Sequence, residues 1–177
     1  RGFGRVVTVS SDAGRVGSRN EHAGITGISH WVEHMMFKGT QKYSEADLDR
    51  LVSRNGGVRN AFTWIDFTAY YETMPSNKID LAIELEADRM LNSRVAKVDL
   101  DTEMTVVRNE FERGENQPFA VLSQRVNAAA FAWHPYGHAT IGPKSDIENV
   151  PIEKLQAFYK RYYRPDNATL LIAGQFD

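Results

Sequence analysis

Residues 58–74 are rich in aromatic and β-branched side chains and lie between Gly56-Gly57 and Pro75. Such side chains are enriched in strands, whereas glycine pairs and proline mark the turns that bound strands. The segment therefore predicts two strands, or one long bent strand. We therefore expect a sheet in the fold of this chain.

Helical patterns surround that segment on both sides. In most of them apolar residues recur every three or four positions, and caps or glycines mark the ends. The predicted helices are 29–37, one from Ser44 to Gly56-Gly57, 79–91, one from Asp99 or Asp101 to about Arg113, one from Pro118 to before His134, and 151–163. Short strands are predicted at 6–9 and 168–173, with a turn over 10–14 and a loop over 136–150. Together they predict one α+β domain over residues 1–177, with a mostly antiparallel sheet flanked by helices.

Composition excludes several classes of function. The 177 residues carry 21 Lys and Arg against 23 Asp and Glu, a formal net charge of −2, so there is no basic excess for binding nucleic acid. The absence of Cys excludes disulfides, thiol nucleophiles and Cys-based metal sites. No apolar run approaches the ~20 residues of a membrane span. The chain starts with Arg and shows no signal peptide, and we expect it to be a processed or trimmed part of a longer product.

The sharpest chemical signal is the segment His30-Trp31-Val32-Glu33-His34. On a helix, His30 and His34 lie one turn apart on the same face, and Glu33 points into the same space. Two imidazoles in this arrangement can bind one metal ion, and the carboxylate can act as a base toward a water that the metal acidifies. The order His-x-x-Glu-His is the inverzincin motif. The alternative is a helix with two surface histidines and an incidental glutamate.

A zinc site of this kind needs a third protein ligand, and no Cys is present to supply it. The helix that ends near Arg113 offers Glu103, Glu110 and Glu112. Glu103 and Glu110 are two helical turns apart and project from nearly the same face. One could bind the metal while the other hydrogen-bonds a ligand histidine. Periodicity alone leaves open the alternative that these carboxylates are solvated surface charges.

Several segments together resemble the pitrilysin/insulinase family of zinc endopeptidases, which includes mitochondrial processing peptidase and its bacterial relatives. Residues 27–40, around the histidines, are similar to the family signature. The further matches, in chain order, are Gly17-Ser18-Arg19-Asn20-Glu21, Gly56-Gly57, Asn60-Ala61-Phe62-Thr63, Asp66, Thr68, Tyr70, Glu103, Glu110, His134-Pro135-Tyr136, Gly142, Tyr163, Pro165, Asn167 and Ala168. The resemblance implies the α+β metallohydrolase domain of mitochondrial-processing-peptidase-like proteins. It also implies an N-terminal position in a longer subunit of two related halves.

The resemblance assigns a role to each residue of the motif. His30, His34 and Glu110 correspond to the ligands of one Zn²⁺ per chain, with 75 residues between His34 and Glu110 as the family pattern expects. Glu33 corresponds to the general base, and Glu103 to a supporting carboxylate. The implied activity is zinc-dependent hydrolysis of peptide bonds in extended peptides through a metal-activated water.

The resemblance also implies partners. Asn60, Ala61 and Phe62 correspond to a strand whose backbone binds substrate as an added strand at the sheet edge. The expected partners are a peptide or unfolded protein, and a C-terminal half or homologous subunit that completes the chamber. We therefore expect this chain to bind zinc but to cleave weakly or not at all alone. A periplasmic or mitochondrial location is plausible by resemblance only.

Two further expectations concern packing. Trp64 and Tyr71 are predicted to be ordinary core residues of a strand. Family members usually run a long first strand directly into the Gly17-Ser18-Arg19 segment, whereas residues 10–16 here predict an interrupted or shortened strand.

The alternative for the whole chain is a non-catalytic substrate-binding or structural subunit of a related complex. The intact set His30, Glu33, His34 and Glu110 counts against it.

Overall fold

The computed structural model describes residues 6–12, of which the backbone alone is considered, and residues 16–175. Four strands and seven α-helices occupy these ranges. In chain order they are β1 (Val6–Asp12), α1 (Ile28–Met35), α2 (Glu45–Arg54), β2 (Val58–Thr63), β3 (Thr68–Pro75), α3 (Ile79–Asn92), α4 (Lys97–Glu115), α5 (Pro118–Ala130), α6 (Lys144–Glu148), α7 (Ile152–Tyr162) and β4 (Thr169–Gly174). None of these helices has the length and apolarity needed to cross a membrane.

The strands form one sheet in the order β2-β3-β1-β4, and each neighbouring pair is antiparallel. Within the described ranges β2 and β4 therefore lie at the two edges. The β2–β3 hairpin comes from residues 58–74, as the strand-rich pattern predicts. The α+β class with an antiparallel sheet is confirmed.

One face of the sheet packs against the helices. Tyr70, Glu72 and Met74 occupy every second position of β3, so their side chains point to the same face of the sheet. All three are buried. Tyr70 belongs to the main core with Trp31 of α1. That core also contains apolar side chains of α4 and α7, including Leu100, Val107, Leu155 and Phe158. Helix α1 is thus held between the sheet and the helices α4 and α7.

The start of α1 is fixed by two local features. Gly27 has φ +90°, in the left-handed region that favours glycine, and a Cβ there would lie 2.3 Å from the Ile141 carbonyl oxygen. The buried Glu21 carboxylate accepts hydrogen bonds from the backbone N–H groups of Gly27 (2.7 Å) and Ser29 (2.8 Å). Two of the N–H groups at the beginning of the helix are thereby satisfied. The helix that carries His30 and His34 begins at a defined position.

Two predictions of irregular structure were wrong. β1 does not end before Ser10 but continues to Asp12, and Ser10–Asp12 pair with both β3 and β4. Pairing on both sides overrides the low strand preference of Ser and Asp. Residues 13–15, which complete the predicted turn and interruption, lie outside the described residues. The predicted loop 136–150 contains the short helix α6, which buries Ile147 in the main core.

Candidate metal centre

Three side chains from two helices converge at one point. His30 and His34 of α1 place their Nε2 atoms 3.3 Å apart. Glu110 of α4 places Oε2 3.4 Å from Nε2 of His30 and 3.3 Å from Nε2 of His34. The three donor atoms form a nearly equilateral triangle. The helical periodicity predicts that the histidines lie on one face, and the packing of α4 against α1 supplies the carboxylate.

The triangle fits a zinc ion. Zinc binds imidazole nitrogen and carboxylate oxygen at about 2.0–2.2 Å in tetrahedral geometry, so its ligand atoms lie roughly 3.3–3.5 Å from one another. The observed separations of 3.3–3.4 Å match this requirement without rearrangement. Two neutral imidazoles and one carboxylate also leave the fourth position of a tetrahedron for water or substrate.

Glu103 contacts His34 at Nδ1, the ring nitrogen that points away from the donor triangle. Its Oε1 lies 3.0 Å from Nδ1 of His34, and its Oε2 lies 2.5 Å from Nζ of Lys38. A carboxylate at Nδ1 accepts a hydrogen bond from the ring N–H there, so the proton stays on Nδ1 and the lone pair on Nε2 is left for a metal. His30 differs, because its buried Nδ1 has no hydrogen-bond partner among the described residues. The orientation of His34 is therefore better determined than that of His30.

The electrostatics of the cluster favour a cation. Hydrogen bonds from His30 and His34 hold the pKa of Glu110 far below its usual range. Burial opposes the charged form of Glu103, but the hydrogen bonds from Lys38 and His34 outweigh it and lower the pKa of that carboxyl. Both glutamates are therefore ionised at neutral pH. Glu103 is paired with Lys38, whereas the ion pairs of Glu110 among the described residues are with the two histidines.

Glu33 lies on α1 between the two histidines and lines the same cleft. The lining also includes His30, His34, Phe37, Asn60, Ala61 and Glu110. Oε2 of Glu33 accepts a hydrogen bond of 2.5 Å from the hydroxyl of Thr63, the last residue of β2. The carboxylate is thus beside the donor triangle without being part of it.

The free edge of β2 runs past this cleft. The N–H of Trp64 donates to the carbonyl of Phe67 across the hairpin (2.7 Å), so these two residues form a hydrogen-bonded pair. In an antiparallel ladder such pairs alternate with pairs that are not hydrogen-bonded. Phe62 and Asn60 therefore bond to β3, whereas the backbone groups of Thr63, Ala61 and Arg59 face the free edge. The N–H of Ala61 accordingly donates to its neighbour's side chain, Oδ1 of Asn60, at 2.8 Å, and not to β3.

The structure separates the three residues predicted to form the substrate strand. Asn60 and Ala61 line the cleft, and Ala61 offers its backbone at the edge. The backbone of Phe62 faces β3, and its ring lies on the face of the strand opposite to Ala61, where it packs against Phe67 with 5.7 Å between centroids. Trp64 is 58% exposed, so the prediction that it belongs to the core was wrong.

Two residues of the site are not predicted by the sequence. Lys38 and Thr63 both lie in segments that carry the family resemblance, but no spacing rule gives either of them a role. Lys38 follows the end of α1 and contacts Glu103 of α4. Thr63 lies on β2 and contacts Glu33 only because β2 packs against α1. The only sequence signal was that Thr63 shares a strand face with Ala61.

Comparison with known families identifies the chain. Residues 14–144 match the model of the insulinase family, peptidase family M16, and residues 149–177 match a second model described as the peptidase M16 inactive domain. The first match covers most of the chain. The protein belongs to the insulinase family, peptidase family M16, and the predicted membership is confirmed.

Its relatives are named as zinc proteases or as a processing peptidase subunit. It is 36% identical over 161 residues to zinc protease PqqE of Helicobacter pylori, an alignment that covers 90% of this chain and 36% of that protein. It is 31% identical over 161 residues to the mitochondrial-processing peptidase subunit beta of Blastocladiella emersonii, covering 91% of this chain and 35% of that protein. The chain thus spans about a third of the length of these relatives.

Solved structures share the fold. A protease from Helicobacter pylori superposes with a TM-score of 0.92 at 34% identity, covering 98% of this chain and 41% of that one. The periplasmic protease PqqL from Escherichia coli gives a TM-score of 0.85 at 24% identity, covering 94% of this chain and 19% of that one. The second likeness concerns the fold alone.

Proposed function

We propose that this chain is the zinc-binding catalytic domain of an endopeptidase that cleaves extended peptides. The observation that carries the proposal is the donor triangle of His30, His34 and Glu110, with Glu33 beside it on the same helix. His30, His34 and Glu110 are proposed as the ligands of one Zn²⁺ per chain. The names of the relatives support the same chemistry.

Zinc bound there would supply a Lewis acid that polarises the scissile carbonyl and acidifies a water. Glu33 is proposed as the general base: its carboxylate takes the proton from that water and later delivers it to the leaving amine nitrogen. Glu103 keeps the proton of His34 on Nδ1, so that Nε2 stays a ligand.

The substrate is proposed to bind at the free edge of β2. The backbone groups of Arg59, Ala61 and Thr63 face that edge, and the cleft with Glu33 lies beside Ala61. A peptide added as a strand would gain main-chain hydrogen bonds that depend little on its sequence. Peptides in extended, unfolded segments fit this requirement, whereas folded helices do not.

A homologous second half is proposed as the partner. In α5 no residue is buried, and Phe119, Leu122 and Val126 form an exposed stripe at helical spacing, with Phe119 81% exposed. An apolar stripe of this kind on a helix is typical of a surface that another polypeptide covers. The chain also spans about a third of its relatives, which supports a catalytic unit larger than these residues.

Zinc analysis and peptide cleavage test the proposal together. The zinc-loaded chain is dialysed, its metal content measured, and an unstructured fluorogenic peptide added with the chain in excess. We expect about one zinc per chain and slow cleavage that a chelator stops and added zinc restores. Glu110→Gln should lose the metal, and Glu112→Gln, at an exposed position of the same helix, should keep it. Cleavage that survives the chelator, or a Glu110→Gln chain that keeps its zinc, would contradict the proposal.

A further inference from the structure

We propose that Thr63 is a positioning residue for Glu33: its hydroxyl fixes Oε2 of the carboxylate and leaves Oε1 as the oxygen that exchanges the proton. This inference rests on the proposed function, because it concerns how the base is aimed.

The contact has a defined direction. Oγ1 of Thr63 lies 2.5 Å from Oε2 of Glu33. An ionised carboxylate only accepts hydrogen bonds, so the hydroxyl donates. A hydrogen bond to a charged acceptor is shorter and stronger than one between neutral groups. The single hydroxyl proton of Thr63 is therefore committed to Glu33.

A second threonine backs this arrangement. Thr68 is completely buried, and its hydroxyl donates to the carbonyl of Val16 (3.0 Å). Its Oγ1 lies 3.4 Å from Oγ1 of Thr63 across the hairpin. Because each hydroxyl has one proton, which Thr68 gives to Val16 and Thr63 gives to Glu33, the two threonines touch without a hydrogen bond between them, and Thr68 does not compete for the carboxylate.

Fixing one carboxylate oxygen matters because the last torsion of a glutamate is broad and roughly two-fold. Without a partner the carboxylate turns freely about that bond. Among the described residues, Thr63 donates a hydrogen bond to Oε2 of Glu33, and Glu33 also lines the cleft beside the histidines. The hydroxyl of Thr63 thus restricts which oxygen is presented to the cleft.

The position of Thr63 adds a second consequence. It is the last residue of β2, on the same face as Ala61 and with its backbone at the same free edge. Two residues along a strand span about 6.6 Å. The strand proposed to hold the peptide therefore also holds the base. A displacement of β2 would move both together, so the base stays in register with the bound peptide.

The experiment compares Thr63→Val, which removes the hydroxyl at constant shape, with Thr63→Ser, which keeps it. The matched control is Thr169→Val, at an exposed position of the same sheet on the opposite edge strand.

The zinc-loaded chain is used in excess over peptide, and the maximal single-turnover rate constant and the half-saturating concentration are measured. We expect Thr63→Val to lower the rate constant about 10- to 100-fold, the range for losing a hydrogen bond to a charged group. Half-saturation and zinc content should not change.

Thr63→Ser should recover most of the rate, and Thr169→Val should match the wild type. A purely structural role would instead raise the half-saturating concentration or lower the melting temperature, and serine would not rescue it. If the wild type cleaves, Glu33→Gln does not, and Thr63→Val is as fast as the wild type, the positioning role alone is overturned. If the wild type supplied with its homologous second half shows no Glu33-dependent cleavage, the proposed function itself fails.

A readout independent of turnover tests the contact in the metal-free chain. The ¹³Cδ resonance of Glu33, assigned by its loss in Glu33→Gln, should move in Thr63→Val and return in Thr63→Ser. An unchanged resonance in Thr63→Val would show that the hydroxyl does not engage the carboxylate.

Discussion

Nδ1 of His34 lies 3.0 Å from Oε1 of Glu103, and the other oxygen of the same carboxylate contacts the ammonium group of Lys38. Glu103 is 8% exposed, so both interactions are largely shielded from water. The three side chains link the end of α1 to the middle of α4. Because the imidazole is held at Nδ1, its Nε2 points at Glu110 with little freedom to rotate.

Removing the Glu103 charge should weaken zinc binding. In Glu103→Gln the amide is a poorer acceptor for the Nδ1 proton, and we expect the zinc dissociation constant to rise about 10- to 100-fold, as for other outer partners of metal-bound histidines. Competition with a chromophoric chelator measures the constant. Glu112→Gln serves as the matched control and should bind zinc like the wild type. Equal dissociation constants for all three chains would mean that Glu103 does not support the site.

The cap on α1 should contribute strongly to stability. Glu21→Ala leaves the N–H groups of Gly27 and Ser29 buried without their acceptor, and we expect a loss of about 2–4 kcal/mol in the free energy of unfolding. Urea denaturation of the metal-free chain measures it. Glu153→Ala, in the exposed first turn of α7, should change stability by less than about 0.5 kcal/mol. If both substitutions cost the same, the cap has no special role.

Glu72 should make stability depend on pH. Burial, and then the nearby Glu86, raise the pKa of this carboxyl from 4.5 to about 7. Below pH 4.5 it is protonated in both the folded and the unfolded chain. Between pH 4.5 and 7 only the unfolded chain releases the proton, so the free energy of unfolding falls as the pH rises, by at most about 3 kcal/mol.

Glu72→Gln stays neutral at every pH and isolates this effect. We expect it to match the wild type near pH 4.5 and to be the more stable chain at pH 8. Thermal unfolding of the metal-free proteins across this range gives the comparison. A difference in stability that is the same at both ends of the range would show that Glu72 does not titrate as described.

Proline substitutions should separate the edge of β2 from its ladder. The N–H of Ala61 faces the free edge, so Ala61→Pro removes no bond to β3 and should fold. It should bind an extended peptide about 3- to 10-fold more weakly, the effect of losing one backbone hydrogen bond. Phe62→Pro removes a ladder bond and should destabilise the fold instead. Fluorescence anisotropy with a labelled peptide in a Glu33→Gln background measures binding. Unchanged peptide affinity in Ala61→Pro would place the substrate elsewhere.

The parts of the site that depend on local spacing were predictable from the sequence. His30, Glu33 and His34 lie within five residues, and a helical period alone puts the imidazoles on one face. Glu110 required more, because periodicity left Glu103, Glu110 and Glu112 as alternatives and only the family resemblance selected one. The structure places Glu110 in the triangle and Glu103 behind His34.

The parts that depend on tertiary packing were not predictable. Ser10–Asp12 have poor strand preference, yet they lie between two strands and pair with both. Trp64 belongs to a residue type common in cores, but it lies at the end of an edge strand and is exposed. The hydrogen bond from Thr63 to Glu33 joins residues 30 positions apart, and no pattern in either segment indicates it.

Glu33 is proposed to move the proton at a zinc site that it does not help to form. The most direct measurement is the zinc content of Glu33→Gln together with its cleavage of an unstructured peptide. We expect this variant to keep the zinc content of the wild-type chain and to lose chelator-sensitive cleavage. A Glu33→Gln chain that cleaves at the wild-type rate, or that loses its zinc, would contradict it.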